Sequence, residues 1–425
     1  MSWTPSTKYL AVLGDKESRP HNVRFISPLI EYGYRPTVDA YINGSLSERP
    51  ILLYLPGFDG TFLSPFLQFP ELDTVFDVRC MTIGMNDRST FAELTETVLD
   101  YIRNDILGDD SEKEAVNAET VNSEANEYPF AQLFRSKPSQ NTPTKIKRDI
   151  YLAGESFGGI LASEVALQLK SDPRLAQSLK GLTLINPATC FDRSQLAAEA
   201  DSVMDLNPIV FPFGLLKLLP LFTDEHSLNQ LFLILRAKAL PSVIDNAVRE
   251  AYLGRMALAL PFVLPIMTQG AFKWRITEWL TTGCQYMASR IKDFERYRDL
   301  RVLIVAGEKD ETLPSIAEAE RLVGILPAAQ VHVVEGAGHA TTCGSRVDLA
   351  ALFRNCFNEL LSPGRREPFA QRSTLQGRTE MKEVAAAGVA EFFGMEPRYD
   401  NNTIGLSPLM YWDEDYFRQL PRELC

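Results

Sequence analysis

The sequence predicts an α/β protein with a mostly parallel central sheet and helices on both faces. Short apolar, β-branched runs alternate with stretches of helical periodicity. In addition, 45% of the 425 residues are hydrophobic, which is enough for a substantial core. The predicted strands are TVDAYI (37–42), PILLYLPG (50–57), VFDVRCMTI (75–83), DIYLAGES (149–156), LKGLTLINP (179–187), LRVLIVAGEKD (300–310) and AQVHVVEGAGH (329–339).

Helical patterns follow these strands in order. FLSPFLQFPEL predicts a crossover helix between the second and third strands, and TFAELTETVLDYIRNDI predicts another after the third. Two stretches interrupt the alternation: a polar one, interpreted as a disordered insertion, and a long apolar helical one, interpreted as a cap inserted before the acid-bearing strand. The predicted organisation is an N-terminal extension (1–36), a first core part (37–190) containing the insertion (108–147), the helical cap (191–299), a second core part (300–362) and a C-terminal linker or extension (363–425).

Charge and cysteine usage exclude several classes of function. The formal net charge is −12 and no basic stripe is present, so nucleic acid is not an expected partner. The six cysteines lack paired spacing, and we expect neither a metal site nor a disulfide framework, nor any cofactor. No apolar run is long enough for a spanning helix, which leaves peripheral attachment to a membrane or lipid droplet open. The visible N-terminus has no secretory pattern and would indicate the cytoplasm if it is the true start.

The strand DIYLA runs into Gly154-Glu155-Ser156-Phe157-Gly158, and a helical pattern follows. This G-x-S-x-G motif between strand and helix is the context of a nucleophile elbow, which exposes a serine above the sheet. Ser156 is therefore the predicted nucleophile. A glycine-rich turn with an incidental serine is the alternative.

A serine nucleophile needs a histidine base and a carboxylate that orients it. His339 follows the last predicted strand in EGAGHAT and is the predicted base. Asp310 ends the preceding strand and is the first choice for the acid, with Glu308 as its substitute. The order serine, aspartate, histidine is that of the α/β-hydrolase fold.

The remaining candidates concern the oxyanion and the acyl chain. Backbone N–H groups must accept the negative charge of a tetrahedral intermediate, and Phe157 and Phe58 are the predicted donors. Phe58 lies in LPGFDGT, a glycine-containing loop after a strand. The apolar segments of the cap predict a site for a long acyl chain, with ordinary helix packing as the alternative. The predicted substrate-binding residues are Phe213, Leu216, Phe262 and Trp274.

Several motifs resemble those of the esterase/lipase/thioesterase family of plastid acyltransferases, the phytyl ester synthase and diacylglycerol acyltransferase-like proteins. They are LPGFDGT (55–61), FDVRCMTIGMNDRSTF (76–91), GESFGG (154–159), LINPATCFDRSQL (184–196) and GEKDETLPS with AEAERL (307–322). The resemblance covers about 50–362. It implies a plastid location, a triad of Ser156, Asp310 and His339, and transfer of fatty acyl groups to phytol or diacylglycerol.

One family feature is absent from the sequence. Longer members carry a second acyltransferase-like domain with a histidine and an aspartate five residues apart, and none of the four histidines here has that spacing. We therefore expect serine-dependent acyl transfer or hydrolysis, with an acyl lipid as donor and an alcohol or water as acceptor. The alternatives are a lipase, carboxylesterase or thioesterase that releases free fatty acid, and a non-catalytic lipid-binding protein.

Overall fold

The structure is a computed structural model that describes residues 21–28, 49–73, 75–108, 148–222, 224, 227, 267–326, 328–343 and 347–357. Within these ranges seven strands form one sheet in the order β1-β3-β2-β4-β5-β6-β7. Only the β1–β3 pair is antiparallel in the described sheet; the other neighbours are parallel. The strands are β1 (Val23–Ile26), β2 (Ile51–Leu55), β3 (Asp77–Ile83), β4 (Ile150–Glu155), β5 (Leu179–Ile185), β6 (Arg301–Gly307) and β7 (Ala329–Val334).

The central strands are buried, which explains why continuous apolar runs in the sequence predicted them. Every residue of β2 and β4 is buried, as expected for parallel strands that helices cover on both sides. Strands β2 to β7 lie within the predicted apolar runs, so these six predictions are confirmed. The remaining predicted strand, at 37–42, lies outside the described residues.

Strand β1 corrects the prediction that 1–36 is only an extension. Residues Val23–Ile26 pair antiparallel with β3, from Val23 opposite Ile83 to Ile26 opposite Cys80. This strand has four residues and occupies the edge of the sheet, where its side chains are only partly buried. Such a short edge strand lacks the continuous apolar run that marks the central strands.

The helices cover both faces of the sheet, as predicted. They are α1 (Phe69–Leu72), α2 (Phe91–Asp100), α3 (Phe157–Ser171), α4 (Gln195–Met204), α5 (Phe211–Phe222), α6 (Gln269–Trp274), α7 (Thr282–Arg290), α8 (Ser315–Val323) and α9 (Leu349–Cys356). Helix α3 packs against α2 and α7 on one face, whereas α9 and α1 lie together on the other. There Phe353 and Phe76 have ring centroids 5.7 Å apart.

Shorter helical turns complete these elements. The predicted crossover helix at 62–72 is only the 3-10 turn Phe66–Gln68 followed by α1. Two π-helices, Tyr101–Leu107 and Arg275–Thr281, continue α2 and α6. Two further 3-10 segments, Ala188–Arg193 and Ile291–Arg296, border the cap. In the described ranges we find no helix with the length and apolar character that a membrane span requires.

The segment Asn86-Asp87-Arg88 has a structural role in the loop between β3 and α2. Asp87 is fully buried, and its carboxylate accepts hydrogen bonds from the backbone N–H of Ser89 (2.8 Å) and of Asn22 (2.5 Å). Helix α2 then starts at a capping box, in which the Thr90 N–H donates to Glu93 and the Glu93 N–H donates to Thr90. The loop therefore ties the edge strand β1 to the start of α2.

Candidate active site

Ser156 lies at the turn where β4 ends and α3 begins. Its φ of 53° and ψ of −115° are strained for a residue other than glycine. Three backbone hydrogen bonds hold this conformation: the Ser156 N–H donates to the Ile185 carbonyl (2.9 Å), and the Ser156 carbonyl accepts from the N–H groups of Gly159 (3.0 Å) and Ala188 (2.9 Å). Such strain places the serine side chain at the tip of the turn, as in a nucleophile elbow.

The two glycines of the motif are required by close backbone contacts. A Cβ atom on Gly158 would lie 2.1 Å from the Leu55 carbonyl oxygen. A Cβ atom on Gly154 would lie 2.0 Å from the Gly158 carbonyl oxygen. Both distances are far inside van der Waals contact, so the elbow cannot form with larger residues unless the backbone shifts.

We expect Gly158→Ala to lower the free energy of unfolding by at least about 3 kcal/mol, because the added methyl group overlaps buried backbone. Gly324→Ala, at the end of α8, is the matched control, since its Cβ would lie 3.4 Å from the Arg321 carbonyl oxygen, an ordinary contact distance. Its effect should stay within about 1 kcal/mol. Urea unfolding of both variants measures the difference, and equal stability would contradict the tight-turn explanation.

His339 and Asp310 meet at the ends of β7 and β6. The His339 Nδ1 atom is 2.9 Å from Asp310 Oδ2. Asp310 also accepts hydrogen bonds from the N–H groups of Thr312 (2.9 Å) and Leu313 (3.1 Å) and from the Ser315 hydroxyl (2.5 Å). These bonds hold the carboxylate in one orientation. With Nδ1 donating to Asp310, Nε2 of the neutral imidazole keeps its lone pair for a substrate or nucleophile proton.

The surroundings of His339 raise its pKa above the ordinary value. Burial is the largest single effect and would lower the pKa, but the charge and the hydrogen bond of Asp310, together with the charges of Glu155 and Asp59, raise it by more in sum. Glu308 instead accepts a hydrogen bond from the Gly336 N–H (2.7 Å) at an exposed position. Asp310, and not Glu308, is therefore the acid that contacts the histidine.

Ser156 and His339 both lie near the loop of Gly57 and Phe58, but no hydrogen bond joins their side chains in the described residues. A Cβ on Gly57 would lie 3.5 Å from the Ser156 Cβ. The Phe222 ring lies 6.3 Å from both the His339 ring and the neighbouring Phe58 ring, measured between centroids. Among the described contacts, the ring of His339 has its hydrogen bond with Asp310 and none with Ser156. Catalytic hydrogen bonds of this kind commonly tighten only when substrate is bound.

Phe58 and Phe157, the predicted oxyanion donors, both adjoin these residues, because Phe58 stacks on Phe222 and Phe157 directly follows Ser156. Phe157 is the first residue of α3, where helical N–H groups have no partner within the helix. Within the described residues, neither the Phe157 nor the Phe58 amide donates a backbone hydrogen bond to another loop. Both therefore have the free donor that an oxyanion site needs.

Asn186 was not predicted as a site residue, although it belongs to the LINPAT segment. It is fully buried with a φ of 40°, a conformation that asparagine tolerates better than most residues. Its Nδ2 donates to the His339 carbonyl (2.7 Å) and to Thr341 Oγ1 (2.7 Å), and its Oδ1 accepts from the Gly307 N–H (2.8 Å). Asn186 thus joins the ends of β5 and β6 to the histidine loop.

Glu155 is a second residue that sequence reasoning missed. Its buried carboxylate accepts hydrogen bonds from Tyr54 (2.5 Å), Ser64 (2.7 Å) and Thr342 (3.3 Å). Burial raises the pKa of this carboxyl, and the bonds from Tyr54 and Ser64 act in the opposite direction. The network connects the residue before Ser156 with the loops that carry Phe58 and His339. In the sequence, only its place at the variable second position of G-x-S-x-G could have indicated a role for Glu155.

The predicted substrate-binding residues occupy different surroundings. Phe213 and Leu216 lie on the solvent side of α5, with 69% and 62% of their surface exposed. Trp274 is half-buried, and its Nε1 donates to the Ser89 carbonyl (3.1 Å). Phe262 lies outside the described residues. Contact of these side chains with a substrate stays a prediction, and Phe222, beside His339, is better placed for it.

The described side chains include no group of three or more histidine, cysteine or acidic residues that could hold a metal ion.

Comparison with known proteins identifies the family. A sequence model of the alpha/beta hydrolase family matches residues 52–347, which include β2 apart from its first residue, all of β3 to β7, and the three candidate residues Ser156, Asp310 and His339. The chain belongs to the alpha/beta hydrolase family. The match also spans the segment between β5 and β6 that the sequence predicts as a cap.

Two curated relatives of this alpha/beta hydrolase come from Arabidopsis thaliana. It is 27% identical to phytyl ester synthase 1, chloroplastic, over 73% of this chain and 37% of the relative. It is 25% identical to phytyl ester synthase 2, chloroplastic, over 73% of this chain and 38% of the relative. The chain thus spans less than two fifths of the length of these relatives. Among solved structures, MenH from S. aureus is 15% identical and covers 80% of this chain and 99% of its own, with a TM-score of 0.44.

Proposed function

We propose that this alpha/beta hydrolase transfers acyl groups from lipid acyl esters through an acyl-enzyme on Ser156. The observation that carries the proposal is the buried Asp310–His339 pair at the same end of the sheet as the strained Ser156 turn. A nucleophile, a base and an orienting acid from three strand ends form the arrangement that activates a serine hydroxyl. The free amides of Phe58 and Phe157 complete it with an oxyanion site.

The proposed reaction has two halves. His339 Nε2 takes the proton of Ser156 as its oxygen attacks the acyl carbonyl carbon, and the carbonyl electron pair moves to the oxygen facing Phe58 and Phe157. Collapse of this intermediate expels the alcohol or thiol, which takes the proton from His339, and leaves the acyl-enzyme. Water or a lipid alcohol then loses its proton to His339 and attacks the acyl carbonyl carbon. As this second intermediate collapses, the bond to the Ser156 oxygen breaks, His339 returns the proton to that oxygen, and the free acid or the new ester leaves.

The proposed substrates are lipids with fatty acyl chains, and the proposed acceptors are phytol, diacylglycerol or water. Two observations support fatty acyl substrates. The curated relatives are named phytyl ester synthases, and α5 and the aromatic residues around Phe222 and Phe272 are apolar. The chloroplastic designation of both relatives supports a plastid location.

Product analysis distinguishes transfer from hydrolysis. Purified protein is incubated with a galactolipid or acyl-thioester donor and with phytol or diacylglycerol, and the lipids are quantified by mass spectrometry. New phytyl ester or triacylglycerol supports transfer, whereas free fatty acid without new ester assigns hydrolysis. Ser156→Ala is the matched control. Equal products from wild type and this variant, or no product from folded wild type, would contradict the proposed chemistry and favour a lipid-binding role.

We also propose that an exposed apolar face of the cap contacts a lipid surface. This apolar face consists of Ile209, Val210, Phe213, Leu216 and Leu219, all of which are exposed. Three of these residues lie on α5, which ends at Phe222 beside the ring of His339, so α5 extends from the surface to the candidate site. A contiguous apolar patch of this kind typically marks an interaction surface.

The double variant Phe213→Ser/Leu216→Ser should reduce vesicle binding at least about tenfold, because each lost side chain removes roughly 1.5–3 kcal/mol of apolar burial. Flotation with neutral galactolipid vesicles measures it. Lys217→Gln is the control on the same helix, since this side chain is exposed and pairs with Glu199. Wild-type protein that does not float with the vesicles would contradict lipid contact.

A further inference from the structure

Arg275 is a fully buried cation at the start of the π-helix Arg275–Thr281, in the segment predicted as a cap. Within the described residues no carboxylate lies within ion-pair distance, and the charges of Asp59 and Asp87 act on it only from farther away. Burial lowers the pKa of this guanidinium to about 10, so it still carries its charge at neutral pH. A buried charge without a direct ion pair is costly, and its hydrogen bonds therefore indicate what it does.

All three described hydrogen bonds of Arg275 go to backbone carbonyls of the core. One Nη1–H donates to the carbonyl of Phe58 at 2.7 Å. Nη2 donates to the carbonyls of Gly84 (3.0 Å) and Ile83 (3.3 Å), at the end of β3. The guanidinium thus bridges the loop after β2 and the loop after β3.

The loop that Arg275 holds is a tight turn. The Gly60 N–H donates to the Gly57 carbonyl at 3.0 Å, and Gly60 has a φ of 74°. A Cβ at Gly60 would lie 3.1 Å from Arg275 Nη1, which shows how closely the guanidinium packs on the turn. A bond to the Phe58 carbonyl fixes the plane of the following peptide and so restricts the backbone of Phe58.

The same turn of the cap also contacts the second candidate donor. The Arg275 guanidinium carbon lies 4.3 Å from the centre of the Trp279 ring. That ring stacks on Phe157, with centroids 4.9 Å apart and an interplanar angle of 19°. Trp279 Nε1 donates to the Ser89 carbonyl at 2.9 Å, which anchors the ring to the core. The segment Arg275–Thr281 therefore contacts both Phe58 and Phe157, whose amides are the predicted oxyanion donors.

We propose that Arg275 is a positioning residue that holds the oxyanion donor of Phe58 in place, with Trp279 as its platform against Phe157. This inference rests on the proposed acyl chemistry. A planar guanidinium can serve several carbonyls and stack on an indole at once, which a lysine ammonium cannot do. The cap thereby helps to stabilise the transition state, although Arg275 and Trp279 act through Phe58 and Phe157 and not on the reacting atoms.

The test compares Arg275→Met and Arg275→Lys with Arg290→Met. Arg290 is the matched control in the next helix, because it also lies over an aromatic ring, that of Tyr286 (5.7 Å), and pairs with Glu164 (3.3 Å), but it has no described contact with the Phe58 loop. Three quantities are measured: kcat and KM on a soluble short-chain ester, the rate of Ser156 labelling by a fluorophosphonate, and inhibition by a trifluoromethyl ketone.

We expect Arg275→Met to lower kcat and the labelling rate about 10- to 100-fold, less than the roughly 100- to 1,000-fold loss when an oxyanion donor is removed, because here the donor is only displaced. Affinity for the trifluoromethyl ketone, which forms a tetrahedral adduct, should fall in parallel, whereas KM should change little. Arg290→Met should leave all three near wild type, even if its melting temperature drops. Arg275→Lys should fold and remain slower than wild type.

Two results would overturn the role of Arg275. One is a folded Arg275→Met or Arg275→Lys protein with the wild-type labelling rate. The other is a rise in KM with unchanged kcat, which would indicate ordinary substrate binding. Absence of labelling in the wild type would instead remove the proposed acyl chemistry, and this role with it, so the two failures are distinguishable.

Discussion

Replacing Ser156 with alanine should reduce ester turnover by roughly a million-fold, as expected when the nucleophile of a triad is removed. The fold should survive, because the strained turn is held by backbone hydrogen bonds of Ser156 and not by its hydroxyl. A chromogenic short-chain ester measures turnover, and circular dichroism monitors folding.

Ser163→Ala is the control for this variant. Ser163 is fully buried seven residues further along α3, and its hydroxyl donates to the Gly159 carbonyl (2.7 Å) away from the candidate site. It should retain wild-type turnover. A Ser156→Ala protein that keeps more than a small fraction of the activity would show that another group forms the acyl intermediate.

Asp310→Asn should lower kcat/KM about ten-thousand-fold, because an amide in place of the carboxylate favours the wrong tautomer of the base. It should also change the pH profile. The pKa of His339 is raised, and the protonated imidazole cannot accept a proton, so wild-type activity is lost as the pH falls through this raised value. Without the Asp310 charge, burial dominates and the acidic limb should move to lower pH.

Glu308→Gln is the control for Asp310→Asn, since Glu308 contacts the Gly336 N–H at an exposed position and not the imidazole. Its pH profile should match that of the wild type. The charges of Glu155 and Asp59 still act on His339 in the Asp310 variant and oppose the effect of burial, which limits how far the pKa falls. An acidic limb that does not move would contradict the assignment of Asp310 as the orienting acid.

The central strands could be predicted because their information is local. Continuous burial of β2 and β4 produces continuous apolar runs, and the G-x-S-x-G motif marks a strand-to-helix turn within five residues. The acid and the histidine were predictable because the strand order requires them at the ends of β6 and β7, and their hydrogen bond joins residues 29 positions apart. Strand β1 was missed because four residues at a sheet edge, three partly buried and one exposed, leave little pattern.

Other features depend on contacts that no local pattern contains. Asn186 reaches the histidine loop across 153 positions, and Arg275 reaches the Phe58 carbonyl across 217. For Phe213 and Leu216, the apolar composition of α5 indicated a hydrophobic helix but not which side faces the core. That side is set by the packing of the cap, where Phe211 and Leu218 are buried instead.

Covalent labelling by a fluorophosphonate, with the adduct located by peptide mass spectrometry, shows directly whether Ser156 is an activated nucleophile. We expect one phosphonylated peptide, modified at Ser156, in folded wild-type protein. We expect no adduct in Ser156→Ala and slower labelling in Asp310→Asn. Folded wild-type protein that stays unlabelled, or that carries its adduct on a different serine, would contradict the assignment of Ser156 as an activated nucleophile.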